Sequence, residues 1–232
     1  MTEAKIKRGR THNAEGAREA ILNAAEKIFS EHGFAGARID DIAAEAGYNK
    51  GLIFRYFGDK LRLYLEIIRR ADVATREIQT RAVASLMEDG TSLNPESVAP
   101  LLRKSIGEVF DFYCGNPQMM HIFQWEMAEG WQNYRQIAGQ IDSSDIDLVK
   151  PLMAKLQETG LLRSDFDPLA QYVTITFVPM LFLACLPFFQ VFSAVGDGSV
   201  PGSMDRAREF VMDFVTGGLL AGPSGTETQI HK

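Results

Sequence analysis

Apolar residues recur at three- and four-residue spacing along most of this 232-residue chain, the period of helices rather than strands. Ile21, Leu22, Ala25, Ile28 and Phe29 mark one face of a first helix over about Ala14 to His32, with Gly33 as its stop. Ile39, Ile42, Ala43 and Ala46 give a short second helix its apolar face. Gly47 follows where the chain must turn, since glycine takes φ > 0 without a Cβ clash. Asn49 is a good N-cap for a third helix. There Ile53, Tyr56 and Phe57 can face inward, which leaves Lys50, Gly51, Leu52, Phe54 and Arg55 outward. Asp59 restarts a helix with Lys60 just inside it. The stripe Tyr64, Ile67, Ile68, Ala71, Thr75, Ile78 and Ala82 makes that helix a long strut.

Beyond a linker at Asp89 to Ser92, Asn94-Pro95 and Asn116-Pro117 each combine an N-cap with a proline suited to the first helical turn. One helix ends near Gly130, another spans about Asp142 to Thr159, and Asp167-Pro168 opens a strongly apolar one. A glycine-rich run from Gly196 to Gly202 precedes a last helix, about Met204 to Leu220, and a tail expected to be disordered. No strand pattern or internal repeat stands out, so the fold class is all-α.

Composition changes the picture in three places. Net charge is −6, which by itself argues against nucleic acid. Its distribution reverses that argument: through Arg62 there are 11 Lys and Arg against 9 Asp and Glu, and beyond it 13 against 21. Lys5, Lys7, Arg8 and Arg10 form a basic arm that can follow phosphates or a minor groove, or serve as a solubilising tail. Cys114 and Cys185 lack metal-ligand spacing and suit buried thiols in a reducing cytosol. The opening residues are polar and basic, with no secretory apolar run. From Pro168 to Gly196 there is no charged residue. Pro179, Pro187 and several Gln and Thr residues interrupt the stretch, and its flanks are acidic. A helix buried on all sides, in a core and a dimer interface, fits better than a membrane span.

Residues 37 to 64 then carry the functional reading. Two short helices joined through a glycine turn, the second opening on a lysine, are the grammar of a helix-turn-helix. Exposed Leu52 and Phe54 beside cations make poor solvent surface but good contacts for a thymine methyl or a sugar edge. With Gly33-Phe34, Ile39-Asp40-Asp41-Ile42-Ala43, Ala46-Gly47, Lys50-Gly51, Tyr56-Phe57 and Asp59-Lys60, the segment resembles the TetR-like family of bacterial transcriptional regulators. The match covers roughly the first quarter of the chain. Arg38 stands where the family commonly has threonine, Tyr48 where it has a small apolar residue, Leu52 for threonine or serine, and Phe54 for tyrosine. These departures bear on the operator sequence rather than on the DNA-binding role.

The resemblance implies an N-terminal DNA-binding domain over residues 1–58 and a helical effector-binding and dimerisation domain over 59–222, with a tail over 223–232. Its implied DNA-contacting residues are Arg38, Tyr48, Asn49, Lys50, Gly51, Leu52, Phe54, Arg55, Tyr56 and Lys60. It implies a cytoplasmic homodimeric repressor released from a palindromic operator by a small, largely apolar or aromatic effector. An activator, a protein-responsive regulator and a small-molecule binder with a vestigial helix-turn-helix remain as alternatives. Candidate effector contacts are Phe110, Tyr113, Met120, Phe123, Glu126, Met127 and Phe177, each of which also suits plain core. Glu126 reads most simply as half-exposed on its helix. Phe210, Val211, Phe214, Val215 and Gly218 recur on the last helix and, with the uncharged helix, suit a four-helix dimer seam. No catalytic motif, phosphate loop or metal spacing is present in the sequence, so neither enzyme activity nor cofactor nor metal is expected.

Overall fold

A computed structural model of the chain describes residues 3–87, 93–140, 144–195 and 203–221, with side chains from Ala14 onward. The expected linker at 89–92, the run 196–202, the tail and the side chains of the basic arm lie outside the described residues. Among the described residues ten α-helices follow one another: α1 (Glu3–Gly36), α2 (Ile39–Ala46), α3 (Lys50–Phe57), α4 (Lys60–Met87), α5 (Pro95–Gly115), α6 (Pro117–Ala128), α7 (Gln132–Ile137), α8 (Ser144–Glu158), α9 (Pro168–Val195) and α10 (Met204–Leu219). Among the described residues the one β-type pairing is an isolated bridge between Leu162 and Leu220.

The chain divides into two compact units. One comprises Met1–Ala74 and Asn116–Asp142, the other Thr75–Gly115 and Ser143–Lys232. This division differs from a boundary at residue 58, because α6 and α7 join the N-terminal helices rather than the rest of the chain. The α4 helix contributes its first half to the first unit and its second half to the other.

In the first unit Ile21, Leu22 and Phe29 of α1, Ile42 of α2, Ile53 and Phe57 of α3, and Leu63, Tyr64, Ile67 and Ile68 of α4 are buried together with Met119 and Ile122 of α6. Phe29 and Phe34 meet the Tyr64 ring edge-on, at centroid distances of 5.0 and 5.2 Å. The α1 helix does not stop at Gly33. It kinks there, at φ 66° and ψ 177°, a conformation essentially reserved for glycine. The kink interrupts the hydrogen-bond ladder, and the Trp125 indole of α6 donates to the Ser30 carbonyl at 3.1 Å.

In the second unit α10 packs on α5 and α9, and α8 on α9. Val98, Leu102, Ile106 and Phe110 of α5 are buried, as are Ala207, Val211, Met212 and Val215 of α10. Ion pairs flank this seam: Arg103 with Glu209 and, at 2.6 Å, with Asp213, and Arg208 with Asp111 at 2.8 Å. Pro179 and Pro187 lie inside α9 without ending it. The helix is long and apolar enough to cross a membrane. Within the single chain it is covered on one side. Ile175, Met180 and Leu183 are covered, whereas Val173, Leu181, Phe188, Phe189 and Val191 are exposed.

Candidate functional site

The turn between α2 and α3 is built by backbone rules that the sequence announces. Gly47 adopts the left-handed conformation, φ 71° and ψ 25°. The Gly47 amide reaches Ala44 O at 3.3 Å and the Tyr48 amide reaches Ala43 O at 3.1 Å, the paired bonds of a Schellman stop. Asn49 then caps α3, its Oδ1 accepting from the Leu52 amide at 2.9 Å. Ile53 and Phe57 are buried and anchor α3 to the unit. Gly58 ends the helix at φ 83°, and Asp59 Oδ1 accepts from the Arg62 amide at 2.8 Å to start α4.

That anchoring decides which side chains remain outside. Lys50, Gly51, Phe54 and Arg55 are exposed, Phe54 by 42%, and Leu52, Tyr56 and Tyr48 are half-buried. Arg38 is exposed at the N-cap of α2, where its side chain makes no capping bond. The cations differ in how they are held. Lys50 Nζ sits 3.0 Å from Asp40 Oδ1, and Arg62 Nε lies 3.7 Å from Asp59. Arg55 lies over the Tyr56 ring at 5.6 Å, and neither it nor Arg38 makes an ion pair among the described residues. Lys60 is turned onto the Phe34 ring at 4.6 Å, and burial there lowers its pKa below the ordinary lysine value.

The candidate effector residues fall into both units. Phe110, Tyr113 and Phe177 belong to the second unit, on α5 and α9, with the first two buried. Met120, Phe123, Glu126 and Met127 belong to the first, on α6. Glu126 is only 1% exposed, which corrects the reading of a half-exposed carboxylate. Its Oε1 accepts from the Tyr64 hydroxyl and from Asn133 Nδ2, both at 2.9 Å, and its Oε2 from the Tyr134 amide at 3.0 Å. Nothing in the sequence near Glu126 signals this, because Tyr64 is 62 positions away and α7 carries no strong periodic pattern. Burial and the carboxylate together push the Tyr64 hydroxyl pKa far above its ordinary value.

The five residues of the expected dimer seam are not on one face. Val211 and Val215 are 1% and 2% exposed and are used by the core of the second unit. Phe210 and Phe214 are 56% and 64% exposed, and Gly218 shares their side of the helix. The Phe210 and Phe214 rings stack at 6.0 Å, and Phe210 meets Phe182 of α9 at 5.8 Å. A groove of about 430 Å3 runs beside them, bordered by Phe166, Thr174, Phe214 and Gly218 with Arg163 at its rim. Cys114 and Cys185, expected as buried thiols, are exposed.

Comparison with known proteins agrees with this geometry. Residues 21–67 match the profile described as bacterial regulatory proteins, tetR family, and residues 100–215 match the tetracyclin repressor-like C-terminal domain. The HTH-type transcriptional repressor NicS of Pseudomonas putida is 27% identical over 172 residues, 72% of this chain and 75% of that protein. The HTH-type transcriptional repressor SCO4008 of Streptomyces coelicolor is 31% identical over 115 residues, 50% of this chain and 52% of its own length. The crystal structure of a TetR family transcription regulator from Marinobacter aquaeolei superposes with a TM-score of 0.61 at 17% identity. That superposition covers 92% of this chain and all of the other, and speaks for the fold alone.

Proposed function

The chain belongs to the TetR family of bacterial regulatory proteins and is a DNA-binding regulator of transcription; we propose that it acts in the cytoplasm as a homodimeric repressor released from a palindromic operator by a small apolar or aromatic effector. The observation that carries the reading is the capped α2–turn–α3 unit, which leaves Lys50, Phe54 and Arg55 exposed and Leu52 half-buried on a short helix. Cations there supply sequence-independent affinity through phosphates, the apolar side chains are suited to base edges, and Lys50 to a base edge or a nearby phosphate. Repression is proposed from the likeness to NicS and SCO4008, both named transcriptional repressors.

Homodimerisation is proposed through α9 and α10. The stacked Phe210 and Phe214, with the exposed apolar side chains of α9, form a surface that a second copy would cover. The effector is proposed to lie against α5 and α9, near Phe110, Tyr113 and Phe177. Glu126 is left out of that lining, since donors of its own unit already occupy both its oxygens.

Selection of duplexes from a random library tests the proposal. An enriched inverted repeat is expected. Once an effector is found, it should weaken operator binding by about 5- to 150-fold, and operator DNA should weaken effector binding by the same factor. Enrichment of no duplex would overturn the DNA-binding assignment for this chain. Equal effector affinity with and without operator would overturn the switch.

A further inference from the structure

Lys50 is the first residue of α3 and Asp40 stands in the first turn of α2, so the two helix starts present opposite charges to one another. Lys50 Nζ is 3.0 Å from Asp40 Oδ1 and 3.1 Å from Oδ2, a two-oxygen seat that resembles the one a phosphate would offer. Both side chains are open to solvent, at 50% and 71% exposure, so nothing but the partner itself fixes the lysine there. The ammonium has three N–H donors, and the carboxylate engages part of them and fixes where the nitrogen sits, so Asp40 competes with a DNA phosphate or base edge for the lysine. Moving it onto DNA leaves an unpaired carboxylate facing the phosphate backbone.

We propose that Asp40 is an affinity-setting residue of the DNA-binding surface: it acts as a built-in phosphate stand-in that holds Lys50 in the DNA-free protein and competes with DNA for it when the protein binds. This deepens the DNA-binding reading above and rests on it. Asp40 weakens binding in two ways. The pair is weakened when Lys50 turns to DNA, and the carboxylate repels the nearby phosphates. An exposed pair of this kind shifts a binding constant by about 1.4- to 5-fold, and repulsion acts in the same direction. The repulsion is independent of DNA sequence, because phosphates carry it, so it acts on selected and arbitrary duplexes alike. The cations Arg38 and Arg55 face no such competitor among the described residues, so the restraint is particular to Lys50.

The test is fluorescence-anisotropy titration at several salt concentrations with two probes, a 30-base-pair duplex of arbitrary sequence and a duplex selected on the wild-type protein. Asp40→Asn should tighten binding to both probes by about 2- to 10-fold and steepen the log–log salt slope by up to about one, since Lys50 then neutralises a phosphate without an adjacent anion. Asp40→Glu keeps the charge and should behave like wild type. In a Lys50→Ala background the Asn substitution should give a smaller gain, because no lysine remains to be released. Asp40 also lies in the acidic first turn of α2, so a purely structural role would lower the melting temperature while leaving affinity and slope unchanged. That outcome overturns the proposal. Failure of the wild type to bind either duplex would instead overturn the DNA-binding reading and this proposal with it.

Discussion

The Asn49 side chain caps the recognition helix that buried Ile53 and Phe57 anchor. Asn49 Oδ1 accepts from the Leu52 amide at the start of α3, and replacing the residue with alanine should cost about 0.5–2 kcal/mol. Urea unfolding measures that loss, and DNA binding should fall with it. Arg55 lies over a neighbouring ring rather than in an ion pair. Arg55→Ala is therefore expected to weaken binding to all duplexes alike and to flatten the salt slope by about one. A changed sequence preference at unchanged slope would show a base contact instead. Tyr64 supplies a pH prediction. Its folded pKa is raised above the unfolded value of about 10 by burial and by Glu126, so the stability it contributes is full below that value. As pH rises above about 10, the unfolded state loses the proton while the folded state keeps it, and stability falls. Tyr64→Phe should flatten this alkaline limb in pH-dependent unfolding, at the cost of one hydrogen bond to a carboxylate, about 1.5–3 kcal/mol.

At the scale of elements, the helices of the N-terminal module were legible because their signals are local. A glycine at φ 71°, an Asn cap and a 3.6-residue apolar period lie within a dozen positions of each other. What could not be read is the attachment of α6 to α1 and α4. It depends on a kink at Gly33, an indole bond from Trp125 and the donors around Glu126, all joining residues distant in sequence. The kink gives a prediction. A Cβ at position 33 would stand 3.0 Å from Trp125 Cδ2 and would sit on a backbone that L side chains rarely adopt. Gly33→Ala should cost about 1–3 kcal/mol in thermal or urea unfolding. A neutral result would mean that α1 can run straight and that Trp125 is not a fixed brace. The division of α10 into a covered side and an exposed side is hidden from its pattern for a related reason. A helix with two apolar faces has two partners, and its pattern cannot say which face meets the chain itself and which is left outside.

For the whole molecule, that separation of faces yields a paired prediction. Phe214 is mostly exposed, so Phe214→Glu should leave the single chain folded while abolishing the proposed dimer, as read by sedimentation velocity. Val211 is buried, so Val211→Asp should destabilise the fold itself, by about 3 kcal/mol or more, because a charge is left unpaired in the core. Dimers surviving Phe214→Glu would move the interface away from α10.

The most direct test of a DNA-binding dimer is hydroxyl-radical footprinting of the wild-type protein on a selected duplex. Two protected regions related by a dyad are predicted, with centres about 34–36 Å apart or a multiple of that, because each copy places one α3 in a major groove. Phe214→Glu should erase both at the same protein concentration. A single protected region, or protection that survives in the variant, would contradict recognition by a two-fold dimer.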